Sequence, residues 1–134
     1  MALRFRTLLA ATLIVAWTGA LALPTDDQET VWTAVIPQGF PGSVYTWRLK
    51  PDGSYAEDGR DRRTGAAVQP TLSGHWRRTG RHMVLHQDGI DYVFDGEIMG
   101  DEYLGTVYLD AKRFSRFCAA RGTAPPQICA GVSA

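Results

Sequence analysis

Between Thr71 and Asp110 the chain is cut into short alternating runs by glycine turns. It reads TLSGHWRR, then Thr79-Gly80, RHMVLHQ, then Asp88-Gly89, IDYVFDGEI, a turn near Gly100-Asp101, and YLGTVYLD. Two-residue turns bearing glycine join antiparallel strands, because glycine supplies the positive φ that fits the strands' own twist. The spacing therefore predicts a four-strand antiparallel meander. Centring the turns on those dipeptides sets Trp76 opposite Met83, Gly74 opposite Leu85, Leu85 opposite Tyr92 and Met83 opposite Phe94. It also sets Phe94 opposite Val107, Gly96 opposite Gly105 and Tyr92 opposite Leu109. One face then collects Leu72, Trp76, Met83, Leu85, Tyr92, Phe94, Ile98, Val107 and Leu109. A slip of one residue would scatter this set to both sides, so its coherence supports the reading. Gly96 facing Gly105 marks a place where the sheet can bend sharply or admit a close neighbour.

The flanking segments extend the pattern. VWTAVI reads as a strand, followed by the Pro-Gly-rich PQGFPGS, and VYTWRL places Tyr45, Trp47 and Leu49 on one face. KPDGS is a Pro-Asp-Gly turn from which SYAE returns. The charged, apolar-poor EDGRDRRTGAAVQP, residues 57–70, reads as a surface loop. In DAKRFSRFCAARG, Ala111, Phe114, Phe117 and Cys118 follow helical spacing, with Asp110 as N-cap and Gly122 as stop. A short C-terminal helix over residues 111–121 is expected, with a final strand as the alternative. The fold class is mainly β: an antiparallel up-and-down meander of seven to eight strands, forming a small barrel or half-barrel.

The N-terminus carries processing information. Arg4 and Arg6 precede the apolar TLLAATLIVAW, and Ala20-Leu21-Ala22 has the small-x-small form of a cleavage site. Residues 1–22 are expected to be a signal peptide, residues 23–29 a polar leader, and residues 30–134 one domain. The apolar run is short for an anchor, so no stable membrane insertion is expected after cleavage. The protein is expected to be exported, to a periplasm or the extracellular space. Removing two arginines from fourteen basic residues leaves twelve against fourteen acidic ones. That slightly acidic balance argues against a nucleic-acid binder. Cys118 and Cys129 are expected to close a C-terminal disulfide loop, since their spacing fits neither zinc nor CxxC redox chemistry.

All three histidines, His75, His82 and His86, lie between Ser73 and Gly96. The register puts them on the face opposite the apolar set, with His86 across from Asp91 and Ser73, and His82 across from Asp95. Ser73, His86 and Asp91 share the composition of a hydrolase triad. They lack a nucleophile elbow and an oxyanion donor, so no catalytic residue is assigned. His82 and His86 stand roughly 13 Å apart along a strand, while a metal sits only about 5–6 Å from a histidine Cβ. No metal or other cofactor is expected; His75, His86 and Asp91 are the nearest to a metal set. A basic group, Arg60, Arg62 and Arg63 in the long loop with Arg77, Arg78 and Arg81 at a hairpin tip, is a candidate anion or partner patch.

The stretch GHWRRTGRHMVLHQDGIDYVFDGEIMGDEYLGT, residues 74–106, resembles small exported bacterial lipocalin/avidin-like (calycin-like) β-barrels. It shares G-x-W, turn-glycine, an alternating strand, D-G and Y-x-x-x-G-x-I-x-G-x-x-x-x-G-T. The resemblance implies an up-and-down barrel, often with a small ligand or a protein at its mouth. Gly74-x-Trp76 stands mid-chain, whereas the family's motif marks the first strand, so no binding residue is carried over. The expected function is non-enzymatic binding of a small apolar or amphipathic ligand on the aromatic face near Trp47, Trp76, Tyr92, Phe94 and Tyr103. The alternative is a protein-interaction module, such as an inhibitor of an exported hydrolase, acting through the arginine-rich loop.

Overall fold

The computed structural model describes residues 28–123, which form one closed antiparallel barrel of eight strands in meander order. In chain order these are β1 (Thr30–Ile36), β2 (Phe40–Leu49), β3 (Ser54–Asp61), β4 (Leu72–Thr79), β5 (His82–Gln87), β6 (Tyr92–Met99), β7 (Glu102–Leu109) and β8 (Lys112–Arg121). Each strand pairs with its sequence neighbour and β8 closes on β1, Cys118 opposite Val35. Closure removes every open sheet edge. This architecture is compatible with a calycin-like barrel. The expected signal peptide, residues 23–27 of the expected polar leader and Cys129 lie outside the described residues; Cys118 is buried on β8.

The meander face is as expected, but two of its turns sit one place further on. The β4–β5 turn is Gly80-Arg81, Gly80 having φ 61°, so Trp76 pairs with Leu85 and Gly74 with Gln87. The β5–β6 loop runs from Asp88 to Asp91, so Leu85 pairs with Phe94 and Met83 with Gly96. Moving a turn by one place moves every partner by two residues, which keeps each side chain on its face. The third turn sits as expected, with Phe94 opposite Val107 and Gly96 opposite Gly105. Met83, Leu85, Tyr92, Phe94, Ile98 and Val107 are buried. Leu72 and Trp76 are only partly buried and Leu109 is exposed: Leu72 and Leu109 lie at strand ends, and Trp76 lies just past the last β3–β4 pair, Ser54 with His75.

The C-terminal helix is not formed: residues 112–121 are strand β8. Asp110 (φ 50°) and Ala111 (φ 63°) make the two-residue turn that starts it, rather than a helix cap. A bulge between Val107 and Tyr108 shifts the β7–β8 register. It breaks the clean alternation and left an apparent helical spacing in the sequence. The expected loop at 57–70 also begins too early, because Glu57–Asp61 belong to β3 and extend its pairing with β2.

Gly96 and Gly105 are a steric requirement. A Cβ on Gly96 would lie 2.2 Å from the Leu104 carbonyl oxygen, and one on Gly105 would lie 2.0 Å from that of Asp95. The strands cross there closer than any side chain allows. Beside that crossing, Tyr103 points inward and shares its single Oη–H between the carbonyls of Met83 (2.9 Å) and Phe94 (3.1 Å).

The barrel's middle is filled by aromatic rings. Trp47 packs on Phe94 (centroids 4.6 Å apart), Phe117 on Tyr103 (4.7 Å) and Phe94 (5.4 Å), and Trp32 on Tyr103 (5.9 Å). These rings are essentially sealed from solvent. Most meet edge-on or tilted, the geometry aromatic quadrupoles prefer. This plug leaves a hollow at each end of the barrel.

Candidate functional site

The ends follow from strand direction. One end carries the start of β1, the turns after β2, β4 and β6, and the end of β8. The other carries the connections after β1, β3, β5 and β7. We call them the Trp76 end and the Glu57 end, after the residues that mark their hollows.

The five aromatic candidates are divided among three places. Trp47, Phe94 and Tyr103 lie in the plug. Trp76 is at one end, where its Nε1–H donates to the Lys50 carbonyl at 2.8 Å. Tyr92 is at the other, stacked edge-on against Phe94 at 5.1 Å. The aromatic face is thus a filled core through its centre, and only its ends border open space.

At the Trp76 end a cavity of about 530 Å³ is lined by Trp32, Leu49, Trp76, Met83, Ile98, Arg78 and Arg121 among others. Its cations are already engaged. The Arg121 guanidinium stacks over Trp32 at 4.7 Å and lies 3.3 Å from Asp101. Arg78 Nε–H donates to the Gly80 carbonyl at 2.7 Å.

At the Glu57 end a cavity of about 300 Å³ opens between Ile36, Tyr45, Leu72, Ile90, Tyr92 and Phe94, with Glu57 and Gln87 on its walls. Glu57 is directly opposite Trp47 on the β2–β3 hairpin and only 3% exposed. Its Oε2 accepts the Trp47 Nε1–H at 2.7 Å, and its Oε1 accepts Gln69 Nε2–H at 2.9 Å and Gln87 Nε2–H at 3.4 Å. Burial pushes the carboxyl above its ordinary value, while the Gln69, Trp47 and Gln87 donors pull it back in part. No lysine, arginine or histidine among the described residues forms an ion pair with it. Tyr92, also on the wall, has a buried hydroxyl with no hydrogen-bond partner among the described residues. Burial raises its phenol first, and the Glu57 charge raises it further.

The mouth of this cavity is apolar. Of six large apolar side chains exposed among the described residues, Phe40, Val68, Ile90, Leu109 and Phe114 all lie at this end; only Met99 lies at the other. Phe40 and Phe114 pack together at 5.7 Å, and Phe114 reaches Tyr92 at 6.1 Å. Residues 62–71 fold back on β3 beyond its pairing with β4, with Val68 N–H donating to Gly59 O at 3.0 Å. That return places Gln69 against Glu57.

The outer face holds the histidines. His75 contacts Asp88 at 3.0 Å, His82 contacts Asp95 at 2.6 Å and His86 contacts Asp91 at 3.4 Å. The last two pairs survive the register change as diagonal neighbours. Ser73 instead donates to Asp88 at 3.0 Å, so Ser73, His86 and Asp91 do not form a row. His75 pairs across the strands with His86, yet each turns to its own aspartate. No group of three or more His, Cys, Asp or Glu among the described residues is placed to hold a metal ion. The arginines do not converge: Arg60, Arg62 and Arg63 lie at the Glu57 end, and Arg77, Arg78 and Arg81 towards the Trp76 end. Arg60 is spent within its own loop, donating to the Gly65 carbonyl at 3.1 Å.

Glu57 is the residue that sequence reasoning missed. The SYAE return already ends on Glu57, and pairing it residue by residue with VYTWRL would have set it opposite Trp47, whose buried indole N–H needs an acceptor. Compared with known family models, curated proteins and solved structures, the chain matches none.

Proposed function

We propose that this protein is an exported, non-enzymatic carrier of a small amphipathic ligand, held in the cavity at the Glu57 end of a calycin-like barrel. The observation that carries the reading is the pairing of an apolar-rimmed cavity with a few inward polar groups at its wall. Ligand sites have this composition: mostly apolar lining, with a small number of placed polar groups that fix orientation. A volume of about 300 Å³ suits a molecule with a short alkyl or single-ring body. The rim of Phe40, Val68, Ile90 and Phe114 gives such a body a surface to slide over, and Glu57 with Tyr92 gives a polar head somewhere to stop.

Trp47 offers a direct test because it hydrogen-bonds Glu57 from the plug side. In the mature chain carrying Trp32→Phe and Trp76→Phe, Trp47 is the remaining indole. Its emission is expected to shift on saturation with short-chain amphiphiles, and the shift should disappear when Leu72→Trp or Ile90→Trp narrows the cavity, each corrected for its own indole. Unchanged emission across amines, alcohols and acids of six to ten carbons would sink the proposal.

A further inference from the structure

We infer that the head group taken by the Glu57 cavity is a protonated amine; this rests on the proposed ligand-binding role of that cavity. Glu57 is a carboxyl set almost out of water, with neutral donors around it and no ion-pair partner among the described residues. An ionised carboxylate offers about four lone-pair sites, and Trp47, Gln69 and Gln87 occupy three. An ammonium fills the fourth and brings the missing positive charge. Tyr92 lines the same wall, and its buried Oη, which has no hydrogen-bond partner among the described residues, accepts a second ammonium N–H from a head seated beside it. The rings of Tyr45, Tyr92 and Phe94 line the cavity, and ring faces attract a cation that has left water.

The groups around Glu57 favour the same head. Tyr45 on β2, Tyr92 on β6 and Tyr55 on its own strand are raised first by burial, with the Glu57 charge adding to it, so they stay neutral beside it, and Asp58 adds a second negative field. A carboxylate head would meet the negative charges of Glu57 and Asp58, and no cation among the described residues lines the cavity to hold it. An alcohol would leave Glu57 without a counter-charge. The amine alone turns a costly buried carboxylate into a hydrogen-bonded ion pair.

The test is calorimetric titration of the mature wild-type protein with octylamine, octanol and octanoate, three heads on one tail, from mildly acidic to mildly basic pH. Octylamine stays protonated throughout this range. Its affinity is expected to exceed that of octanol by about tenfold or more where Glu57 is ionised, a preference the size of one charge-assisted contact. It should tighten as pH rises through the Glu57 titration and then level off. In Glu57→Gln the amine preference and its pH dependence should both vanish while octanol still binds. Octanol or octanoate binding as tightly as octylamine at the basic end would overturn the amine assignment and leave the cavity's ligand-binding role standing. If none of the three binds, the role itself fails and the amine assignment with it. The wild-type comparison decides the question even if Glu57→Gln does not fold.

Discussion

Phe114 and Phe117 are the same side chain three residues apart on β8, and they should differ sharply in what they hold together. Phe117 is 2% exposed and meets Trp47, Phe94 and Tyr103 inside the plug. Phe114 is 40% exposed on the rim. Phe117→Ala is expected to cost about 3–5 kcal/mol, the ring's transfer plus a cavity the surrounding rings cannot close over. Complete burial of a phenylalanine contributes about 1.5–3 kcal/mol, so Phe114→Ala, which forfeits a little over half of that and leaves no sealed void, should cost about 1–2 kcal/mol. With a urea dependence of roughly 2 kcal/mol per molar, the midpoints fall by about 2 M and by less than about 1 M. Tryptophan fluorescence follows both transitions, since Trp47 touches Phe117. Equal midpoint shifts would refute the division between plug and rim. They would favour the equivalent burial of the two rings that a helix with three-residue spacing implies.

Other consequences are open to measurement. Gly96→Ala drives a methyl into the Leu104 carbonyl and should destabilise the barrel by about 1–3 kcal/mol or more; thermal unfolding within half a degree of wild type would contradict the close crossing. Because the folded Glu57 carboxyl is raised, its contribution is fully present below its ordinary value of 4.5 and lost as pH rises through the folded value. Glu57→Gln should therefore flatten the decline of the urea midpoint above that point, and a slope identical to wild type would count against it. Asp52, Asp58 and Asp61 are lowered by hydrogen bonds, so the stability they contribute is present above their ordinary value of 3.8 and is lost as pH falls below it, on the opposite side from the Glu57 decline. His82→Ala should cost less than about 1 kcal/mol, as exposed ion pairs do, and a loss of several kcal/mol would mean that the His82–Asp95 pair supports more than the surface.

The meander was legible because glycine turns and two-residue alternation are local signals that reinforce one another. Its faces came out correctly even where the register did not. Displacing the Gly80 turn by one position changes partners in steps of two, which sequence parity cannot detect. β8 was harder. Its opening turn uses Ala111 at positive φ, where glycine or asparagine would announce a hairpin, and a bulge breaks the alternation. The site was least legible. A charged EDGRD string looks like loop, and what drew Glu57 inward was Trp47, a partner on the preceding strand. The histidines were conspicuous in sequence and peripheral in space, because outward polar pairs obey strand alternation as faithfully as core residues do.

The aromatic plug also settles how molecules can move through the barrel. A hollow barrel of this length would be a conduit, with traffic entering at one mouth and leaving at the other. With Trp47, Phe94, Tyr103 and Phe117 closing the middle, each hollow is a dead end, and whatever sits beside Glu57 must depart past Phe40, Val68, Ile90 and Phe114. For the proposed ligand, residence time there would be governed by the doorway. On that reading, side chains that never touch the head group would set how long it stays.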